Sequence, residues 1–256
     1  MMGEHADRRD DEVTALRAGI DLGMTLIDTA EMYADGESER VVGAAIVGRR
    51  DDVFLVSKAY PQNASRTRLT RACEASLERL GTDRLDLYLL HWRGSVPLRE
   101  TVEAMAALVA AGKIMRWGVS NLDRDDMEEL VAAGGTDCAT DQILYNLTRR
   151  GPEHDLLPWL ASHDIPVMAY SPVEQGRLLD HPALTAVAAA RGVTAAQVAL
   201  AWLLAREGVI AIPKAGRVEH VRDNRAAADL ALTPEELAEL DRAFPRPRTP
   251  VPLEML

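Results

Sequence analysis

Three apolar runs in this chain end on groups that can do chemistry. "TLIDT" (25–29) carries Asp28, "VFLVSK" (53–58) closes on Lys58 and "LDLYLLH" (85–91) closes on His91. Tyr33 follows five residues after Asp28. A free phenol has a pKa of about 10 and gives its proton poorly to a carbonyl oxygen at neutral pH. A neighbouring ammonium favours tyrosinate and makes the hydroxyl a stronger acid. Lys58 can play that part if an anion holds it, and Asp28 is the candidate anion. His91 can hydrogen-bond a carbonyl oxygen and orient it. Such a set polarises and protonates a carbonyl while another group supplies hydride. Taken singly, Lys58 as a snorkelling surface lysine, Asp28 as a turn cap and His91 as a core imidazole are the plainer readings. Four such groups at the ends of neighbouring strands outweigh them.

The elements that must position these groups follow a regular rhythm. Besides the three runs above, "IMRWGVS" (114–120), "TDQILYN" (140–146), "VMAYSP" (167–172) and "VIAIPK" (209–214) are short and near-continuously apolar. That pattern predicts parallel strands covered on both sides. Stretches of helical spacing alternate with them, such as "LRETVEAMAALVAAG" and "DRDDMEELVAAGG". Thr233, Pro234 and Glu236 in "TPEEL" predict a capped helix start, and Gly81, Gly112 and Gly134 fall where helix ends are due. A strand and a crossover helix repeating about every 30 residues predict a TIM-type (β/α)8 barrel. The open doubly wound sheet is disfavoured, since no GxGxxG follows the first strand. No linker breaks the rhythm, so residues 1–256 read as one domain. In such a barrel, function sits at the C-terminal strand ends, where Asp28, Lys58 and His91 lie.

A net charge of −11, scattered along the chain, argues against nucleic acid or an anionic membrane as partner. The start, "MMGEHADRRDDE", lacks a signal peptide's apolar core, and no run reaches the roughly 18 apolar residues of a membrane span. Cys73 and Cys138 form no CxxC pair, and Cys73 reads as a small packed thiol. A monomer in the reducing cytoplasm is expected.

From "IDTAEMY" through "LVSK", "LDLYLLHW", "GVSN" and "AYSP" to "IPK" followed by "RDN", the chain resembles the aldo-keto reductases nearly end to end. The resemblance implies Asp28, Tyr33, Lys58 and His91 as a catalytic tetrad, with Tyr33 the general acid. It implies that Ser120, Asn121 and Gln142 hold the carboxamide of a nicotinamide cofactor. Tyr170 would stack on the ring, with Ser171 beside it. Lys214, Arg217 and His220 would lie near the adenosine phosphate, and Asp223 and Asn224 near the adenine. A solvated helix face remains the alternative for Arg217. Many members carry arginine six residues after the lysine, where this chain has His220. NADPH is the expected cofactor, with NADH the other candidate.

Met32, Tyr60 and Trp92 sit beside tetrad positions and are expected to line the substrate pocket, with core packing the alternative for Met32. The short tail "PRPRTPVPLEML" suggests an open pocket for small carbonyls such as methylglyoxal, other aldehydes or keto-sugars. A nicotinamide-dependent carbonyl reductase is the leading reading. A nucleotide-binding relative with impaired or no catalysis is the alternative. Only seven strands can be counted, the first preceded by a helix, "DDEVTALRAGIDLG". Against the family pattern the chain reads as starting after an N-terminal hairpin and first strand, which predicts lower stability than that of complete relatives.

Overall fold

The computed structural model describes residues 1–256. All seven expected strands form: β1 (Leu26–Asp28), β2 (Phe54–Ala59), β3 (Leu85–Leu90), β4 (Ile114–Ser120), β5 (Asp141–Leu144), β6 (Val167–Tyr170) and β7 (Val209–Ile212). Their order in the sheet is the order of the chain. The helices are α1 (Arg9–Asp21), α2 (Glu37–Ala45), α3 (Arg66–Leu80), α4 (Leu98–Ala110), α5 (Arg124–Ala132), α6 (Leu156–Ser162), α7 (Pro182–Arg191), α8 (Ala195–Leu204), α9 (Val218–Ala226) and α10 (Pro234–Ala243). Two compact units divide the chain: Met1–Thr140 with Ala215–Val218, and Asp141–Lys214 with Glu219–Leu256.

In the first unit β1 to β4 pair in parallel, and the helices pack neighbour on neighbour from α1 to α5. Helix α3 shows why such segments fold as they do. It buries Leu69, Ala72, Cys73, Ser76, Leu77 and Leu80, which recur every three or four residues on one face. Gly81 then stops it in the left-handed conformation, as expected. Burial pushes the Cys73 thiol up to about 12, as suits a packed rather than a reactive cysteine.

Strand register places the candidate groups. Asp28 pairs with Val56, and Lys58 stands two residues beyond Val56. Lys58 pairs with Leu89, and His91 stands two residues beyond Leu89. Side chains alternate with period two along a strand. Asp28, Lys58 and His91 therefore share one face, each a step of two residues above the last. Behind that face, Glu39 of α2 is fully buried and accepts from Ser57 Oγ at 2.6 Å and from Arg79 Nε at 2.5 Å. Arg79 also lies under Gly36, where a Cβ would come within 2.6 Å of its Cδ. This buried ion pair fixes α2, and with it the turn that follows β1, against β2 and α3.

In the second unit β5, β6 and β7 pair in parallel, with Gln142 opposite Met168, and Tyr170 opposite Ile212. Gln142 and Tyr170 thus share a face, because Tyr170 stands two residues beyond Met168. Helix α8 is buried from Gln197 to Leu203, as a core helix with apolar residues all round must be. At α10 the expected capping box forms, Thr233 with Glu236. The strand expectation fails at the start of β4, where Met115 is 54% exposed, and along β7. β7 is not buried on both faces, and Ile210 is 38% exposed. It is the last strand in the order, so it lacks a neighbour on one side and the cover that comes with one.

Replacing Glu39 with Ala leaves the buried Ser57 hydroxyl and the partly buried Arg79 guanidinium without their shared acceptor. The expected loss is about 3–5 kcal/mol of folding stability, typical for removing one partner of a buried pair. Urea unfolding followed by tryptophan fluorescence measures it; a loss below about 1 kcal/mol would contradict the structural role given to this pair.

Candidate active site

An ammonium is an expensive group to bury, and Lys58 is wholly buried. Three oxygens take its three protons: Asp28 Oδ2 at 2.6 Å, the Thr29 carbonyl at 2.9 Å and the Tyr33 hydroxyl at 3.2 Å. Burial favours the neutral amine, but Asp28 and then Tyr33 more than offset it. The Lys58 pKa consequently stands above its ordinary value. Since Lys58 donates to the phenolic oxygen, the Tyr33 proton is left to point elsewhere.

Tyr33 opens a tight turn, Tyr33–Gly36, in which Ala34 and Asp35 take positive φ values of 49° and 52°. Non-glycine residues adopt that backbone at a cost, and functional turns are where such strain collects. The expectation that Lys58 leaves Tyr33 a stronger acid than a free phenol needs correction. Burial raises the Tyr33 pKa most; Lys58 pulls it down, Asp28 pushes it up, and the net direction is upward. The hydroxyl therefore stays protonated at neutral pH. Lys58 still stabilises the tyrosinate that would follow proton transfer.

His91 directly follows β3 and lies edge-on to Tyr33, with ring centroids 5.7 Å apart. Burial, then the charge of Lys58, lowers its pKa to about 3. It is a neutral imidazole across the physiological range, able to donate one hydrogen bond but carrying no charge. Trp92 packs on His91 at 4.9 Å and meets Tyr60 edge-on at 5.9 Å, as a pocket wall would. Met32 is 38% exposed, which removes core packing as its explanation.

Ser120 and Asn121 leave β4 in the same unit. Asn121 adopts φ 58°, a conformation asparagine tolerates, and its amide donates to the His91 carbonyl and to Ser120 Oγ. In the second unit Gln142 is buried beside Met168, and Tyr170 is half-buried at the end of β6. Ser171 follows at φ 51°, its hydroxyl buried without a hydrogen-bond partner. Lys214 lies exposed two residues past β7, and Arg217 directly precedes α9 and is also exposed. His220, Asp223 and Asn224 ride on that helix, His220 exposed and the other two half-buried.

The proline-rich tail is tied down at three points. Within the second unit Val251 packs so closely on Gly151 that a Cβ there would come within 2.7 Å of it. Glu254 pairs with Arg149, and the Leu256 amide donates to the Tyr170 hydroxyl at 3.4 Å.

The aldo/keto reductase family model matches residues 2–244. The chain belongs to the aldo/keto reductase family. It is 56% identical over 261 residues to methylglyoxal reductase YeaE of Escherichia coli (strain K12), covering 100% of this chain and 92% of that protein. Glyoxal reductase of Bacillus subtilis (strain 168) is 33% identical over 230 residues, covering 89% of this chain and 81% of that one. A crystal structure of an aldo/keto reductase from Klebsiella pneumoniae, in complex with NADP and acetate, superposes at a TM-score of 0.98 with 59% identity. It covers 100% of this chain and 92% of that one. The fold is the family's TIM-type α/β barrel fold, with seven strands in this chain.

Two parts of this reductase's site escaped the sequence reading. The Thr29 carbonyl is a backbone group and leaves no trace in residue type. Glu39 did leave one: a carboxylate standing three and four residues before Val42 and Gly43, on the face of α2 that packs inward. Because His91 stays neutral and Tyr33 stays protonated, kcat/KM for a carbonyl should be level from about pH 5 to 9. It should fall only as pH climbs past the raised phenol, above about 10. A pH profile with a break between about 6 and 7 would instead indicate an imidazole titrating near its ordinary value.

Proposed function

We propose that this reductase converts small aldehydes and ketones, methylglyoxal-like carbonyls among them, to alcohols, using NADPH. The observation that carries the reading is the Lys58 ammonium held by Asp28 while donating to the Tyr33 hydroxyl. That arrangement frees one phenolic proton for a carbonyl oxygen and stabilises the charge left behind. When bound, the nicotinamide cofactor supplies the hydride that adds to the carbonyl carbon. His91 donates to the carbonyl oxygen and orients it. Tyr33 gives that oxygen its proton. Lys58 then faces a tyrosinate, and Asp28 keeps the ammonium from following the negative charge out of position.

The residues present fit the cofactor. Ser171, the residue after Tyr170, keeps a buried hydroxyl with no partner in the chain. Such a group is costly unless a polar ligand meets it. Ser120 and Asn121 in the first unit, and Gln142 in the second, are residue types that carry the donors and acceptors an amide requires. Arg217 directly precedes α9, where backbone N–H groups favour phosphate, and Lys214 stands three residues earlier in the chain. The solved relatives' names support the choice of NADPH, since one Klebsiella pneumoniae structure is described as a complex with NADP and another with NADPH. An assembled Asp28–Lys58–Tyr33 set supports turnover over the non-catalytic reading, which has no use for it.

Loss of NADPH absorbance with methylglyoxal tests the activity directly. Replacing Tyr33 with Phe should lower kcat by about 10²–10⁴, the usual range for general acid catalysis, with NADPH affinity within about twofold. Retention of more than about a tenth of kcat would end the assignment of Tyr33. Replacing Arg217 with Ala should weaken NADPH by about 1.5–3 kcal/mol, the worth of a hydrogen bond to a charged group, and leave NADH nearly unchanged. Equal losses for the two cofactors would show that Arg217 does not read the 2′-phosphate.

A further inference from the structure

Glu31 stands in the loop after β1, between Asp28 and Tyr33, and its carboxylate does not enter the chemistry above. Two donors from the next loop converge on a single oxygen of it: the Tyr60 backbone N–H reaches Oε1 at 2.6 Å and the Asn63 side-chain amide reaches it at 2.9 Å. The Glu31 amide donates in turn to the Lys58 carbonyl at 3.3 Å, so backbone and side chain both tie the two loops together. Tyr60–Asn63 is itself a tight turn, closed by the Asn63 amide on the Tyr60 carbonyl at 2.9 Å. The carboxylate catches both ends of that turn. Hydrogen bonds to an ionised acceptor are the stronger kind, which suits a clamp between loops.

The other side of the turn is fixed as well. Pro61 packs so closely on Gly94 that a Cβ there would come within 2.6 Å of the proline ring. The turn is thus held between the loop that carries Tyr33 and the loop that follows Trp92. What it presents is the Tyr60 ring, edge-on to Trp92, which packs on His91.

We propose that Glu31 is a positioning residue for substrate: it sets the Tyr60–Trp92 wall at the right distance from Tyr33 and His91, and so governs carbonyl binding without taking part in proton transfer. The proposal rests on the reductase reading of the same site. It distinguishes Glu31 from Asp28, which acts on the proton donor through Lys58.

Glu31→Ala removes the clamp, while Glu31→Gln keeps an acceptor oxygen for both donors. Steady-state kinetics with saturating NADPH, against methylglyoxal and benzaldehyde, separate the two. In Glu31→Ala the KM for benzaldehyde should rise by about tenfold or more, because a loop displaced by about an ångström misplaces the ring it carries. The KM for methylglyoxal, a smaller molecule that touches less of the wall, should rise by about threefold. In both cases kcat should stay within about threefold, and the alkaline limb of the pH profile should not move. Glu31→Gln should keep both KM values within about threefold of the original. Unchanged KM values in Glu31→Ala, a fall in kcat at constant KM, or a Gln variant as impaired as the Ala variant would each overturn the proposal. If Glu31→Ala does not fold, Asn63→Ala carries the test. A raised benzaldehyde KM at constant kcat supports the clamp, and no change in KM overturns it. Absence of turnover by the unaltered chain would overturn the reductase reading and this inference together; turnover with unmoved KM values in the variants would overturn the inference alone.

Discussion

The ion pair between Lys58 and Asp28 is the interaction on which the rest of the first unit depends. A fully buried ammonium is tolerable only where every proton is accepted and an opposite charge lies close. The chain meets that demand with a carboxylate from β1, a carbonyl from the residue after it and a phenol from the turn beyond. Those acceptors come from one short segment, so the segment cannot shift without leaving the charge stranded. The strained backbone at Ala34 and Asp35 is sustained in the same way. On the far side, α2 is anchored by Glu39 to Ser57 and Arg79, and it follows directly from that turn. Two buried ion pairs, one at the strand ends and one behind them, hold the Tyr33 turn between them.

The electrostatics divide the proposed labour among the groups. Burial acts in opposite senses on the two neighbours of Lys58, lowering the pKa of His91 and raising that of Tyr33, while the Lys58 charge lowers both. His91 loses its tendency to protonate, and Tyr33 keeps its proton despite the cation beside it. A neutral donor to orient and a protonated phenol to give are then available over a broad range of acidity, with no group required to titrate near neutrality.

Much of this was legible in the sequence, for identifiable reasons. Strands covered on both sides appear as continuous apolar runs, so all seven were visible, and a titratable residue closing such a run is conspicuous: Asp28, Lys58 and His91 announced themselves. The Thr233–Glu236 cap was equally plain because it is local. Other features depend on tertiary structure and were hidden. The net upward shift of Tyr33 reflects burial, which residue types near it in sequence do not reveal. The half-exposed face of β7 follows from its place at the end of the order, and its residues are as apolar as those of covered strands. The ordering of the tail comes from Arg149, about a hundred residues away in the chain. Glu31 sits among small and apolar residues in "DTAEMY", where its charge was a signal without a visible partner, since Tyr60 and Asn63 lie on another loop.

The stagger of two residues per strand has a consequence for how this sequence can change. Deleting or inserting one residue within β2 ahead of Lys58 would turn its side chain to the opposite face, and the ammonium would emerge among the surrounding helices instead of beside Asp28. The same length change in the loop between α2 and β2 leaves the parity of every strand intact. Lineages of this enzyme should therefore drift freely in the length of those connections while their strands keep an unbroken count, so that gaps in aligned descendants would trace the outline of the sheet.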